Sequence, residues 1–339
     1  MKYLVTGATG LVGNNVVRRL LERGETVRVL VRRESDPRPL EGLDVERCYG
    51  DVRDAAAVRQ ACHGVSTVVH SAAIVHFGWT GLEQQRAVNV QGTEHVAAAA
   101  LDAKARLLHV SSVDALGVGG RDAPADEDSP RQGKIPCTYV VTKQEAEAVV
   151  RSYLDRGLDA VIVNPGFMLG PWDWKPSSGR MLLEVATRFT PLAPTGGLTS
   201  CDVRDVVDGL LAACEKAPTG RQYILAGENL TYQQIWNLFA EVSGGSKPWF
   251  RAGPLLRFLG GHGGDLWGRL TGREPDLNSA GVRVTCQFHY YSSARAAAEL
   301  GYHPRPFRQS AVEAWAWFIE HGYVRGKKHG SQTYASIHS

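Results

Sequence analysis

Thr6-Gly7-Ala8-Thr9-Gly10-Leu11-Val12-Gly13 follows a strand-like run, Lys2-Tyr3-Leu4-Val5, and opens an amphipathic helix. That order assigns each glycine a task. The first permits a tight turn, the second lets the backbone approach a pyrophosphate, and the third lets helix and strand pack closely. The helix start then offers unpaired N–H groups and the positive end of its dipole to the phosphates. A glycine triplet alone is weak evidence; the strand before it and the helix after it supply the context the motif demands.

Outward from this loop, strand-like runs recur at 26–32, 44–49, 65–70, 106–111 and 159–164. Helical segments near 11–23, 54–62, 83–104 and 138–156 separate them. Strands alternating with helices of this length predict right-handed βαβ units and an α/β fold, a Rossmann-type doubly wound parallel sheet. Val27-Arg28-Val29-Leu30-Val31 and Val65-Ser66-Thr67-Val68-Val69 are apolar and β-branched enough to lie inside it. After Gly170 the texture changes to a turn-rich stretch, Pro171 to Gly179. A helix over 203–216, a strand over 221–226, a helix capped by Thr231 and a last helix over 309–321 follow. Segment 251–272 is rich in Gly and Leu with weak periodicity. The expected organisation is a dinucleotide-binding domain over 1–170, to which about 201–230 return, a smaller mixed substrate subdomain over 171–325 and a polar tail over 326–339.

Hydrophobic residues make up 43% and charged residues 22% of the 339, a globular composition. A net charge of +3 gives no reason to expect nucleic acid, which needs a clustered basic stripe. Six cysteines without a Cys-x-x-Cys pair argue against a zinc site and read as reduced thiols, so no metal is expected. No signal peptide and no membrane-length apolar run are read, and the expected location is the cytoplasm.

The G-x-x-G-x-x-G spacing, with Thr6 before the first glycine, resembles the extended short-chain dehydrogenase/reductase family, the NAD-dependent epimerase/dehydratase superfamily. The resemblance continues at Asp51-Val52, where the family contacts adenine, and at His70-Ser71-Ala72-Ala73, its backbone lining beside the cofactor. It continues in the Asn-containing helix motif Val88-Asn89-Val90-Gln91-Gly92-Thr93. It implies that Gly7, Thr9, Gly10, Leu11, Val12 and Gly13 hold the dinucleotide, with Asp51, Val52, Ser71, Ala72, Ala73, Asn89, Val110, Pro165, Gly166 and Phe167 around it. An acidic residue after the second strand selects NAD. Here Val31 is followed by Arg32 and Arg33, whose guanidinium groups suit a 2′-phosphate, so NADP is preferred over NAD. The alternatives are that both arginines are solvated, or that Glu34 reaches the ribose.

Tyr139-Val140-Val141-Thr142-Lys143 places a phenol and an ammonium on one helix face. The positive charge favours the phenolate, lowering a pKa ordinarily about 10. The resemblance makes Tyr139 the acid/base, Lys143 the nicotinamide-ribose ligand and Ser112, at the end of the fifth strand, the hydroxyl that polarises a C–O group. Ser111 reads as a structural or cofactor-side hydroxyl. Family dehydratases carry Asp-Glu after this hydroxyl residue; Val113-Asp114 fills only the second acidic position, which makes dehydration doubtful. Phe167 stands where nucleotide-sugar epimerases usually carry Asn, and resembles the dihydroflavonol-reductase and 3β-hydroxysteroid-dehydrogenase branches. The run as a whole also resembles bacterial proteins labelled hopanoid-associated sugar epimerases.

Two loops at strand ends, Val75 to Trp79 and Phe167 to Trp174, supply candidate substrate contacts: His76, Trp79, Asp114, Phe167 and Trp172. Their aromatics equally suit packing between the two lobes. Asp202 and Arg204 read as capping and domain-joining. The expected activity is hydride exchange with a carbonyl or alcohol substrate, Tyr139 acting as acid/base. The alternatives are a nucleotide-sugar epimerase or dehydratase with retained cofactor and a non-catalytic NADP-binding sensor. A homodimer through 83–104 and 138–156 is the family habit.

Overall fold

The computed structural model describes residues 1–324; the expected polar tail lies outside the described residues. Thirteen strands are named: β1 Lys2–Thr6, β2 Thr26–Val31, β3 Glu46–Tyr49, β4 Thr67–His70, β5 Arg106–Val110, β6 Ala160–Pro165, β7 Phe167–Leu169, β8 Leu192–Ala193, β9 Gly197–Asp202, β10 Gln222–Leu225, β11 Glu228–Thr231, β12 Phe250–Arg251 and β13 Phe288–His289. The helices are α1 Leu11–Glu22, α2 Ala55–Cys62, α3 Leu82–Arg86, α4 Gly92–Asp102, α5 Thr138–Leu154, α6 Gly179–Thr187, α7 Val203–Lys216, α8 Tyr232–Ser243, α9 Pro254–Thr271, α10 Ser279–Val284, α11 Ala294–Leu300 and α12 Phe307–Glu320.

Seven strands form one sheet in the order β10-β6-β5-β4-β1-β2-β3, and every pairing in it is parallel. Strands β1, β4, β5 and β6 are buried on both faces, as a sheet covered on both sides requires. One covering layer packs Val16, Val17 and Leu20 of α1 with Val206, Leu210 and Leu211 of α7. The other packs Val58 and Ala61 of α2 with Val96 and Ala100 of α4 and Val150 of α5. The chain order reverses between β1 and β4, which opens a crevice at the carboxyl ends of these strands. The doubly wound reading of the sequence is the observed architecture.

A smaller lobe is built on β9, which pairs with β7, β11 and β13. Its own core joins Phe239 of α8 to Phe307, Trp315 and Phe318 of α12. Thr231 caps α8 in a reciprocal capping box with Gln234. The helix expected over 83–104 is divided into α3, a wide turn at Ala87–Gln91 and α4. Thr93 Oγ1 donates to the Asn89 carbonyl at 2.6 Å, and Gly92 packs on Val52, so local bonding and close packing accompany the wider turn. The weak periodicity of 251–272 conceals a full helix, α9, whose inward face is glycine.

β9 leads into α7 at the buried Asp202. Its carboxylate accepts from the Arg204 backbone N–H (2.8 Å) and from the Arg204 guanidinium (2.8 and 2.7 Å), with Arg305 at 3.8 Å. Burial opposes ionisation of Asp202, but Arg204 and Arg305 outweigh it and hold the carboxyl below its ordinary range. A depressed carboxyl contributes stability above its unfolded pKa, near 3.9, and loses that contribution as pH falls through the lower folded value. Asp202→Asn therefore lowers unfolding free energy by about 2 kcal/mol at neutral pH. Urea denaturation at neutral pH and below about pH 4 should show the gap between variant and native chain narrowing in acid.

Candidate functional site

The turn after β1 is closed by absence of side chains. Gly7 has φ +71°, and a Cβ there would lie 2.7 Å from the Ala72 backbone nitrogen. A Cβ on Gly13 would stand 2.2 Å from the Gly7 carbonyl oxygen. Thus α1 can begin against β1 only with glycine at both positions. Gly10 is its N-cap and supplies no side-chain bond, so the first amides of α1 face the crevice uncapped. Ser71 Oγ donates to the Thr6 carbonyl at 2.8 Å, pinning the end of β4 to the end of β1. Ala72 and Ala73 continue that wall, and Ala72 packs with the sheet core. A strand-to-helix turn that admits only glycine at 7 and 13, with the first helix amides uncapped, fits a dinucleotide pyrophosphate.

At the far end of this cradle stand three arginines. Arg32 lies 3.6 Å from Glu34, Arg33 covers the Tyr49 ring at 4.9 Å, and Arg53 pairs with Asp51 at 2.8 Å. The bond to Arg53, outweighing burial, holds Asp51 below its usual carboxylate range. Val52 is buried against Gly92, and its carbonyl bonds His95 Nδ1 at 2.9 Å.

Ser112 and Tyr139 meet at the carboxyl end of β5. Both side chains are buried, and the neighbouring Ser112 hydroxyl favours the Tyr139 phenolate. Ser112 Oγ also accepts from the Asp114 N–H at 3.1 Å and donates to its carboxylate at 3.3 Å. Lys143, one helical turn after Tyr139, is buried and donates to the Val110 carbonyl at 3.0 Å. The Phe77 ring packs on Tyr139 at 5.0 Å.

Electrostatics here differ from the simple Tyr–Lys expectation. Burial pushes the Tyr139 phenol above its ordinary value, the Asp114 carboxylate adds to that, and only the Ser112 bond opposes them. Lys143 is lowered by burial to about 8. Thus burial and Asp114 raise the phenol, whereas proximity to an ammonium alone predicts that it is lowered.

Comparison with known proteins agrees with this geometry. Residues 3–226 match the model of the NAD dependent epimerase/dehydratase family. The chain belongs to that family. It is 36% identical over 338 residues to sterol demethylase protein B of Methylococcus capsulatus, covering 96% of this chain and 100% of that one. It is 35% identical over 343 residues to a putative dihydroflavonol 4-reductase of Synechocystis, covering 95% and 96%. The crystal structure of gox2253 superposes with a TM-score of 0.82 at 34% identity, covering 95% and 99%. Further relatives are named reductases and dehydrogenases. The chain is an oxidoreductase of the epimerase/dehydratase superfamily.

Within this family frame several expected contacts have other occupations. Asn89 donates to the Ile74 carbonyl (3.0 Å) and Thr142 Oγ1 (3.1 Å) and accepts from the Ile74 N–H (2.7 Å). It clamps the loop after β4 to α5, with both amide hydrogens engaged. His76 Nε2 lies 3.1 Å from the Glu274 carboxylate, which also accepts from the Trp79 and Thr80 N–H groups. Trp79 Nε1 donates to Ser279 at 2.8 Å. His76 and Trp79 therefore fasten the small lobe to the crevice edge. Gly166 packs on Thr199, where a Cβ would stand 2.6 Å from its Cγ2, and Pro165 ends β6. Phe167 packs into the small-lobe core, edge-on to Phe307 at 6.2 Å.

Trp172, expected near substrate, is covered by the Arg18 guanidinium at 3.4 Å and packed against Trp174, Trp317 and His321. Its φ of +68° is strained for a non-glycine residue. The stacking of α1, the 171–174 loop and α12 occupies the ring, so it joins the lobes.

Several residues around the pair have no motif to announce them. Lys134 Nζ donates to Asp114 at 3.0 Å and lies 2.6 Å from His289 Nδ1. Burial lowers Lys134, and lowers His289 to about 4. Burial opposes ionisation of Asp114, but Lys134, His289 and Ser112 together hold it below its usual range. Behind Ser111, the buried Glu147 accepts from Ser111, Asn164, Gln222 and Arg131. Phe77 and Glu274 complete the surroundings from the loops.

The glycine cradle is open to direct test. Gly13→Ala places a methyl group inside contact distance of the Gly7 carbonyl and should weaken dinucleotide binding at least about tenfold. Titration calorimetry with NAD⁺ and NADP⁺ reads the loss, and circular dichroism shows whether the sheet persists.

Proposed function

We propose that this oxidoreductase reduces a carbonyl, or oxidises the corresponding alcohol, on a predominantly apolar substrate, with Ser112, Tyr139 and Lys143 as its catalytic residues and NADP as its preferred nucleotide. The observation that carries the reading is the buried Ser112–Tyr139 pair, beside ionised Asp114 and beneath Phe77.

The nucleotide, when bound in the glycine cradle, supplies or accepts the hydride. The substrate oxygen lies between Ser112 Oγ and Tyr139 Oη, two hydroxyl donors that polarise it. As that oxygen gains charge during reduction, Tyr139 gives up its proton, so the carbonyl becomes an alcohol and the phenol a phenolate. The raised pKa of Tyr139 suits this donor role, because the proton is present at neutral pH. Lys143, on the same face of α5 and lowered to about 8, exchanges a proton near neutrality and restores the phenol. Lys134 and His289 position Asp114, whose charge keeps Tyr139 protonated until substrate needs it.

Val113 in place of a second acid leaves a dehydratase-type elimination without one of its two carboxyl groups. Phe77, packed on Tyr139, gives the crevice an apolar wall suited to an extended hydrocarbon substrate. Relatives named for sterols, a dihydroflavonol and a steroid support that class.

A panel of apolar ketones and secondary alcohols, followed by NADPH absorbance, tests the reading. Tyr139→Phe should lower kcat by about 10²–10⁴-fold while leaving NADP⁺ binding within a factor of about three. Full activity in that variant removes Tyr139 from the chemistry. Conversion of a substrate without net NADPH turnover favours an epimerase with retained nucleotide.

The nucleotide preference rests on Arg32 and Arg33, since Glu34 lies 3.6 Å from Arg32 and Asp51 is bonded to Arg53. Replacing either arginine with alanine should raise the Kd for NADP⁺ about tenfold and leave NAD⁺ affinity unchanged. Equal losses for both nucleotides, measured by fluorescence titration, defeat the 2′-phosphate assignment.

A further inference from the structure

The large side chains of α9 face the solvent. Its inward face carries Gly260, Gly261, Gly264 and Gly268, laid against the turn at 274–279, with Asp265 and Arg257 also turned inward. The approach is close: a Cβ on Gly264 would overlap the Leu277 carbonyl oxygen at 1.7 Å, and one on Gly261 would stand 3.0 Å from Ser279 Cα. The outward face carries Leu255, Phe258, Leu259, Leu266, Trp267 and Leu270, each between 57% and 74% exposed. An amphipathic helix on a water-facing surface has the opposite polarity. The patch continues through the chain that enters α9, where Trp249 and Phe250 are exposed and Phe189 stacks edge-on against Trp249 at 5.0 Å. A contiguous apolar surface of this kind marks an interaction site.

Charge points to the partner. Residues 245–273 carry five basic residues (Lys247, Arg251, Arg257, Arg269 and Arg273) and one acid, Asp265. That acid faces inward, accepting from the Ser279 N–H at 2.9 Å. Among the described residues, Arg188, Arg251, Arg269 and Arg273 have no carboxylate partner, and all four are exposed. Leucine, phenylalanine and tryptophan on one face, bordered by guanidinium groups that have no carboxylate partner, suit the boundary between headgroups and acyl chains of an anionic bilayer. No helix among the described residues is long and apolar enough to cross a membrane, so the contact is with one leaflet.

We propose that α9, with Phe189, Trp249 and Phe250, is a docking surface for an anionic phospholipid bilayer, into which α9 lies flat. The surface is one loop from the candidate site. The 274–279 turn that backs α9 holds the 76–80 loop through Glu274, Asn278 and Ser279, and Phe77 of that loop packs on Tyr139. Docking here brings the crevice edge to the membrane surface, where an apolar substrate would be dissolved; that consequence rests on the substrate class proposed above, whereas docking itself does not.

Flotation of the full chain with phosphatidylcholine vesicles, with and without about one-third phosphatidylglycerol, tests the docking independently of any activity. The chain should float with the anionic vesicles, less with the neutral ones, and be partly released by high salt. Trp267→Glu combined with Leu270→Glu alters two exposed positions and should lower partitioning at least about tenfold, with nucleotide binding and circular dichroism unchanged. Failure to float, equal partition into both vesicles, or flotation indifferent to the substitutions would overturn the proposal. So would a native dimer that the substitutions convert to monomer without any vesicle binding, which assigns the face to a second copy of the chain.

Discussion

The rest of the molecule depends on the contact between Gly13 and the Gly7 carbonyl. With a Cβ only 2.2 Å from that oxygen, any side chain at 13 would push α1 away from β1. The displaced helix would no longer bring its free amides to the crevice, nor Arg18 to the face of Trp172. The same α1 packs through Val16, Val17 and Leu20 against α7, and α7 starts at the Asp202 joint with the small lobe. One missing methyl group thus sets both the phosphate cradle and the position of the lobe that closes over it.

The chemistry of the candidate site depends on a second constraint, the placement of charge in a dry environment. Asp114, Lys134 and His289 are buried together next to Ser112. A buried carboxylate without such partners would take up a proton. Lys134 at 3.0 Å keeps Asp114 charged, and the charged Asp114 then disfavours ionisation of Tyr139. The surroundings of the phenol therefore raise its pKa. This reverses what the Tyr-x-x-x-Lys spacing suggests by itself, because the ammonium of Lys143 is directed to the Val110 carbonyl and loses charge stability through its own burial.

What could be read from the chain follows from how local each signal is. β-Branched runs, the glycine turn and the Thr231 cap are set by neighbours in sequence, and the doubly wound parallel sheet followed from helices alternating with strands. Other features depend on residues far apart. Lys134 has nothing around it in sequence to mark it, since its partners are twenty and 155 positions away. His76 and Trp79 looked like substrate contacts because the loop after β4 lines the crevice, but Glu274, nearly two hundred residues later, occupies them. Trp172 drew the same inference from its place after β6, and Arg18 with the aromatic residues of α12 occupies its ring.

Helix α9 shows a different failure of legibility. Hydrophobic periodicity locates helices by assuming that the apolar stripe faces the core. Here the core-facing stripe is glycine, chosen for closeness of approach, and the leucines face outward. Glycine in a helix interior is destabilising relative to alanine, so a run of four on one face requires compensation from what the helix touches. The inward contacts supply part of it, through backbone packed on backbone at 274–279. The leucine, phenylalanine and tryptophan side chains of the outward face, with His262 among them, gain nothing from water. A low-dielectric surface outside the protein supplies the missing environment, and it favours the helical backbone as well, since in such a medium every peptide group must find its bond within the helix.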